Sequence, residues 1–248
     1  MKIILYAALL SALALVSGGS ALAQDRQSPM TEDKQKKLEM DGTIMAMSSK
    51  HMDMGPHMRM TEMRRLGPGD QQRADEIVRR ARQAIEKYKD YKAAAQDGYQ
   101  IFLPDEPQSM YHFNNSWYAM EADYRFNPEH PTSLLYEKVG DGYRLIGVMY
   151  TAPANMTEDE LNKRIPLSIA QWHQHVNLCL PPRGQLQGLF DPTSRFGVNG
   201  SITTRAECER AGGRFFPRLF GWMVHLYPYE QKKADMWSVE RQLAPDER

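Results

Sequence analysis

The sequence predicts an α+β fold in which one long N-terminal helix precedes a mostly antiparallel sheet with short helical insertions. A barrel-like arrangement of that sheet is one form of this prediction. The helix is indicated over residues 70–97, where apolar residues recur at three- and four-residue steps and Gly98 follows. After Tyr99 the chain changes to short apolar runs between Pro, Gly and Asn clusters, a pattern typical of strands. These two patterns together predict the fold class.

Four runs predict individual strands. LLYEKV and YRLIGVMYTA flank the turn sequence GDG, which indicates a β-hairpin. SIAQWHQHVNLCL and LFGWMVHLYPY predict two further strands. Between them, Thr157 with Glu160 has the form of a capping box and predicts a short helix, and Thr204 predicts the start of a second one.

Three parts are expected along the chain. Residues 1–23 have the pattern of a secretory signal peptide: Lys2, an apolar run, then Ala21-Leu22-Ala23. The apolar run is shorter than the ~20 residues of a spanning helix. We therefore expect export to the periplasm or medium, without a membrane span in the mature chain; an uncleaved anchor is the alternative. Residues 24–69 predict a flexible Met/His-rich segment, and residues 70–248 a single α+β domain.

The charge balance and the motifs exclude several classes of function. Basic and acidic residues number 31 each, so the chain has no long-range attraction to nucleic acid. No G-x-S-x-G, H-E-x-x-H or phosphate-loop motif is present, which gives nucleophilic hydrolysis no support.

The two cysteines, Cys179 and Cys208, predict a disulfide, because an even pair in an exported chain is usually oxidised. A thiolate metal ligand is the alternative, since Cys179 lies close to a pair of histidines.

That pair is His173 and His175, in the strand sequence WHQHVNLC. Residues two apart on a strand share one face, so two neutral imidazoles can converge on a single metal ion. His112 and His225 lie in similar strand-like surroundings among aromatic and apolar residues. Glu137 follows an apolar run and needs a charge partner. We expect a metal site built from His112, Glu137, His173, His175 and His225; polar packing roles are the alternative.

The motif H-F-N-N at residue 112, followed by P-x-x-L-L-Y-E and G-Y-R-L-I-G-V-x-Y, resembles a group of secreted bacterial proteins of unassigned function. The resemblance covers residues 108–230 and implies that His112, Glu137 and the His173 strand belong to one module. H-x-H on a strand is also similar to cupin metal sites. The acidic cupin ligand is replaced here by Cys179 and Leu180, so the pattern predicts a cupin-like site on a different topology.

A methionine-rich segment from Met45 to Met63 suggests copper, because thioether and imidazole ligands together suit Cu(I). Packing of an irregular arm and disorder are the alternatives. The same ligands leave zinc, iron and manganese open at the histidine site. The candidate ligands of this secondary site are His51, Met52, Met54, His57, Met58 and Met60.

Three functions remain open. The first is an exported copper-binding protein that sequesters the ion or delivers it to another periplasmic metal-handling protein. The second is a metalloenzyme whose histidine site keeps an open coordination position. The third is a disulfide-stapled envelope scaffold whose histidines only form hydrogen bonds.

Overall fold

The structure, a computed structural model, describes residues 55–185, 189, 191 and 193–238. The predicted signal peptide and the residues His51, Met52 and Met54 lie outside this part of the chain. The disulfide between Cys179 and Cys208 is present, with the two Cα atoms 5.5 Å apart. It joins the end of a sheet strand to a short helix, which confirms the predicted pairing.

Seven strands form one antiparallel sheet in the described part of the chain, in the order β1-β6-β7-β5-β4-β3-β2. The predicted hairpin is formed by β4 and β5. The strands are β1 (Met58–Met60), β2 (Gln100–Ile101), β3 (Tyr111–Asn114), β4 (Ser133–Val139), β5 (Gly142–Ala152), β6 (His173–Leu180) and β7 (Arg214–Leu226).

Six α-helices accompany the sheet within the described residues. Two short ones begin as the sequence predicts: the Thr157 and Glu160 side chains form a capping box, and the Thr204 hydroxyl accepts from the Glu207 amide. The helices are α1 (Asp70–Ile85), α2 (Tyr91–Gln96), α3 (Ser116–Tyr124), α4 (Glu158–Arg164), α5 (Arg205–Arg210) and α6 (Lys233–Met236).

The prediction of one long helix over residues 70–97 is wrong. Helix α1 ends at Ile85, a 3-10 helix follows at Glu86–Lys89, and α2 begins only at Tyr91. The interruption is at Asp90, whose backbone is extended (φ −85°, ψ 103°) and whose carboxylate accepts from the Lys92 amide. Asp favours such caps because its side chain competes for backbone donors. The apolar periodicity continues across the break and therefore conceals it.

One face of the sheet is covered by helices. Ile77, Ala81 and Ile85 of α1 and Leu161 of α4 belong to the same buried cluster as the sheet residues. Burial of this apolar surface is the main favourable term in folding, at about 25 cal/mol per Å². Sheet residues in the cluster include Phe113, Leu134, Tyr136, Val148, Tyr150, Trp172, Trp222, Val224 and Leu226.

The opposite face is concave, because the sheet curls strongly. His112 on β3 and His225 on β7 belong to strands separated by β4 and β5, about 14 Å apart in a flat sheet. Their ring centroids are nevertheless 5.7 Å apart. The rings of Phe102 and Phe220, further apart still in strand order, are 6.3 Å apart. The sheet keeps two free edges, β1 and β2, and so is not closed into a barrel.

Two features of the β4–β5 hairpin accompany this curl. The register shifts between Leu135 and Tyr136, as in a β-bulge, which bends a strand and increases its twist. Gly147 lies opposite Leu135, and a Cβ atom there would come within 2.6 Å of the Leu226 carbonyl oxygen and 2.8 Å of the Tyr227 ring. A glycine is therefore needed where β5 lies close to the end of β7, its neighbour in the sheet.

Strand β1 lies inside residues 24–69, the stretch that the sequence separates from the domain, yet it forms an edge of the common sheet. Among the described helices, none combines the length and apolar character needed to cross a membrane.

Candidate metal centre

Four histidines meet on the concave face. His173 and His175 come from β6, His225 from β7 and His112 from β3. His173 pairs with Met223 across the β6–β7 ladder, two residues before His225 on the same face. The curl of the sheet brings His112 to them from the far side. Four of the residues that the sequence analysis expects at one site thus lie next to one another, and the curl explains why they meet.

The rings form a continuous chain across the face. The centroids of His175 and His173 are 5.7 Å apart, those of His173 and His225 are 5.4 Å apart, and those of His225 and His112 are 5.7 Å apart. Two imidazoles bound to one tetrahedral ion would place their centroids about 5 Å apart, since each nitrogen lies roughly 2.0–2.1 Å from the metal. The observed spacings are slightly wider than that.

Consistent with the wider spacing, no three His, Cys, Asp or Glu side chains of the described residues are already arranged as a metal-binding group. A metal ion at this cluster would therefore require the rings to rotate towards one another. Methionine is not one of these four residue types, and its thioether sulfur is a further kind of metal ligand.

Two nitrogens of the cluster are buried without a hydrogen-bond partner: Nδ1 of His173 and Nδ1 of His175. His173 is 1 % exposed. A buried polar atom without a partner costs about 1–3 kcal/mol, and native proteins rarely keep such atoms unless they serve another purpose. Here two of them lie on neighbouring rings of the same cluster.

The cluster is neutral at neutral pH. Burial is the main cause that lowers the pKa of His112 and that of His175 to about 4, and it lowers the pKa of His173 and His225 well below the usual range. Mutual repulsion of the imidazolium forms adds to the effect, for example between His173 and His225. A neutral imidazole keeps one nitrogen lone pair, which is the form that binds metal ions.

Two methionines of β1 lie beside the histidine pair. Met58 is directly opposite His175, and Met60 is directly opposite His173 in the antiparallel ladder. Directly opposite residues share one face, with Cβ atoms about 4.5–5.5 Å apart. The M-x-M and H-x-H motifs are thus aligned side by side, which local sequence patterns cannot predict because about 115 residues separate them.

The floor of the concave face is apolar and contains further sulfur. Leu135, Met149, Met223 and Tyr227 form a buried cluster, against which Met110 packs. The Tyr227 hydroxyl lies 3.6 Å from the Met110 sulfur and 3.5 Å from His225 Nδ1. The sequence analysis does not single out Met149 and Met223, although strand alternation with Gly147 and His225 could have placed them on this face.

Two predicted ligands have other partners. The Glu137 carboxylate accepts a hydrogen bond from the Arg144 guanidinium on the neighbouring strand, and its side chain is 38 % exposed. Arg144 is thus the charge partner that the sequence analysis expects for Glu137. The buried His57 Nε2 lies 2.7 Å from the Gly200 carbonyl oxygen, and its Nδ1 lies 3.4 Å from the Val176 carbonyl oxygen.

His130 lies outside the cluster. Its ring stacks on Tyr118 with centroids 4.2 Å apart, and its Nδ1 lies 2.6 Å from the Glu121 carboxylate. Cys179 and Cys208 are joined to each other, so neither offers a thiolate.

No protein-family model, curated protein or solved structure matches this chain.

Proposed function

We propose that the protein binds a transition-metal ion, copper in preference to zinc, iron or manganese, at the concave face, and sequesters or delivers it. The observation that carries this proposal is the pair of buried nitrogens without partners, Nδ1 of His173 and Nδ1 of His175. A purely structural histidine would satisfy its ring nitrogens with hydrogen bonds, as His57 does with the Gly200 carbonyl oxygen.

The electrostatics of the cluster support metal binding. Four imidazoles that share one region cannot be protonated together without repulsion, and burial opposes protonation of each one. A metal cation supplies the positive charge that neutral nitrogen ligands can stabilise. Because the pKa of His112 and that of His175 are about 4, protons do not compete for these ligands at neutral pH.

The ligand types favour copper. The concave face combines imidazoles with the thioethers of Met58 and Met60 and, deeper in the face, those of Met149 and Met223. Sulfur and imidazole ligands together suit copper, whereas carboxylate and carbonyl oxygens suit Mg²⁺, Ca²⁺ and Mn²⁺. Glu137, the carboxylate predicted for this site, is paired with Arg144.

Export to the periplasm or medium is part of the proposal. It is supported by the signal-peptide pattern of residues 1–23 and by the Cys179–Cys208 disulfide, a bond that persists in oxidising compartments.

The test is elemental analysis of the untagged mature protein purified from the periplasm, beside the His173→Ala/His175→Ala double variant. We expect stoichiometric copper in the wild-type protein and none in the double variant. The matched control is His130→Ala, which removes an imidazole outside the cluster and should leave the metal content unchanged.

The double variant must remain folded for this comparison, which circular dichroism and thermal melting will show. A second variant, His112→Gln, keeps a polar side chain of similar size and should lower the metal affinity without removing the site. Wild-type protein that stays empty after copper titration and dialysis would contradict the proposal and favour the scaffold alternative. Stoichiometric zinc would contradict the preference for copper only.

A further inference from the structure

We infer that Met58 and Met60 on β1 are the residues that select monovalent copper, so that the protein takes Cu(I) rather than a divalent ion as its cargo. This inference rests on the proposed function, because it names the oxidation state and the selectivity residues of the same site. It is carried by the alignment of two motifs and by the way in which β1 is held.

The alignment gives each histidine of the pair its own thioether. Met58 is opposite His175, and Met60 is opposite His173. The residue between them, Arg59, belongs to the other face, where its guanidinium lies 5.4 Å from the centre of the Trp222 ring. The alternation of β1 thus directs both sulfur-bearing side chains, and no charged one, to the side of the imidazoles.

Packing does not account for these two methionines. Both are only half-buried, and neither is a member of the apolar clusters formed by the described residues, unlike Met149 and Met223. An ordinary edge strand tends to carry charged residues at such positions, which discourage pairing with other chains. Two thioethers at the edge of a cluster of imidazoles therefore have a chemical rather than a packing explanation.

Strand β1 is fixed at both ends, although it is only three residues long. At its start, the buried His57 ring lies 2.7 Å from the Gly200 carbonyl oxygen, and the His57 carbonyl accepts from the Val176 amide at 2.9 Å. At its end, the buried Thr61 hydroxyl accepts from the Trp172 amide at 3.0 Å, and the Thr61 amide donates to the Trp172 carbonyl at 2.8 Å. The thioethers are thus presented by a preorganised strand.

The chemistry of the two ligand classes then separates the metal ions. Imidazoles bind zinc, cobalt and copper alike, whereas thioethers contribute little to a divalent ion and much to soft Cu(I). Ag(I) has the same charge and softness and does not change oxidation state in air, which makes it a suitable probe. Removing the two sulfurs should therefore weaken binding of the monovalent ions and leave binding of the divalent ions to the histidines intact.

The experiment compares wild-type protein with the Met58→Leu/Met60→Leu double variant, which conserves side-chain size and apolar character. Cu(I) affinity is measured anaerobically by competition with a chromophoric Cu(I) chelator, Ag(I) affinity by calorimetry, and Co(II) binding by its visible absorption. We expect Cu(I) and Ag(I) binding to weaken by at least about tenfold, with Co(II) binding changed by less than about threefold. The matched control is Met120→Leu, a half-exposed methionine on α3.

The outcomes separate the two proposals. Wild-type protein that binds none of the three ions overturns the proposed function and this inference with it. Wild-type protein that binds Cu(I) no more tightly than the double variant, or a double variant that loses Co(II) equally, overturns the inference alone.

The anchors of β1 offer a second test of the same inference. Thr61→Val removes the hydroxyl that accepts from the Trp172 amide, and Thr61→Ser retains it. Residues that orient ligands typically affect metal affinity by about 10–100-fold. We expect Thr61→Val to weaken Cu(I) binding by about tenfold without changing Co(II) binding. Thr61→Ser should bind Cu(I) as tightly as the wild-type protein. Equal Cu(I) affinity in the two variants would show that Thr61 does not position the thioethers.

Discussion

The two faces of the sheet differ in the polar side chains that they bury. On the helix-covered face, buried tyrosines each donate to a carbonyl oxygen: Tyr136 to Tyr88 at 2.7 Å, and Tyr150 to Pro128 at 2.7 Å. On the concave face, His173 and His175 each keep a buried nitrogen without a partner. On the helix-covered side, the indole nitrogen of Trp172 and the hydroxyl of Tyr229 are also buried without a partner.

The atoms without partners on the concave face differ from those on the other face because both are ring nitrogens of neighbouring histidines, which can bind a ligand. A hydrogen-bonded polar group in a core is consistent with stability alone, whereas one without a partner lowers stability. Local conflicts of this kind in an otherwise consistent fold tend to coincide with functional sites. The concave face is therefore where a ligand would add stability, and three predictions test the contrast.

The largest effect should come from acid, which acts on the concave face. The pKa of His112 and that of His175 are about 4 in the folded protein, below their usual 6.5, so the unfolded chain binds more protons below pH 6.5. The free energy of unfolding should fall as the pH falls from about 6.5 towards 4, by about 2 kcal/mol for each histidine between pH 7 and pH 5. Chemical denaturation with a chelator present measures it.

The His175→Gln variant serves as the control for acid sensitivity, because an amide does not titrate in this range. It should lose about a quarter of the pH dependence, because burial lowers the pKa of all four histidines of the cluster. A flat stability profile between pH 7 and pH 5 in the wild-type protein would contradict the neutral cluster.

The next effect concerns the curl that makes one face concave. In Gly147→Ala, the new Cβ would lie 2.6 Å from the Leu226 carbonyl oxygen, a backbone atom that cannot easily move. We expect a loss of about 3 kcal/mol in the free energy of unfolding, at the upper end of typical overpacking. Metal affinity should also fall, because β7 and its His225 would be displaced.

Gly142→Ala on the same strand is the matched control. There the nearest atoms would be 3.7 Å away, an ordinary contact, and we expect little change. Equal stabilities for the two variants, measured by urea denaturation, would mean that the close approach of β5 and β7 does not depend on Gly147.

The smallest effect belongs to the helix-covered face. Tyr150→Phe removes one buried hydroxyl and leaves the Pro128 carbonyl without its donor. We expect a cost of about 1 kcal/mol, with no effect on metal content, and Tyr124→Phe, an exposed position on α3, as a neutral control. Thermal melting measures both. A loss of metal in Tyr150→Phe would show that the two faces are coupled.

The sequence predicts well what is decided locally. The β4–β5 hairpin and the capping box of Thr157 and Glu160 depend on residues close together in the chain, and all of them are found. The same holds for the alternation that puts His173 and His175 on one face. Their grouping with His225 follows from the burial expected of both strands.

The remainder depends on long-range geometry. The pairing of Met58 with His175 is a matter of register between distant segments, and the curl at Gly147 depends on how close β7 passes. The interruption of the helix at Asp90 depends on local residues, but the apolar periodicity conceals it because Tyr88 and Ala94 remain buried on either side. The sequence predicts Glu137 near the histidines from its half-buried setting and from the resemblance, whereas its pairing with Arg144 depends on the hairpin register.

The strand histidines and methionines of the concave face come from β1, β3, β5, β6 and β7, each of which contributes only a few residues. In the sequence, these residues consequently form a set of short motifs in a fixed order: MRM, HF, GVM, HQH and VHLY. The loops between these motifs can change in length without moving the strands that carry the motifs. A search for this ordered set, rather than for overall similarity, is the way to find other chains that share the centre.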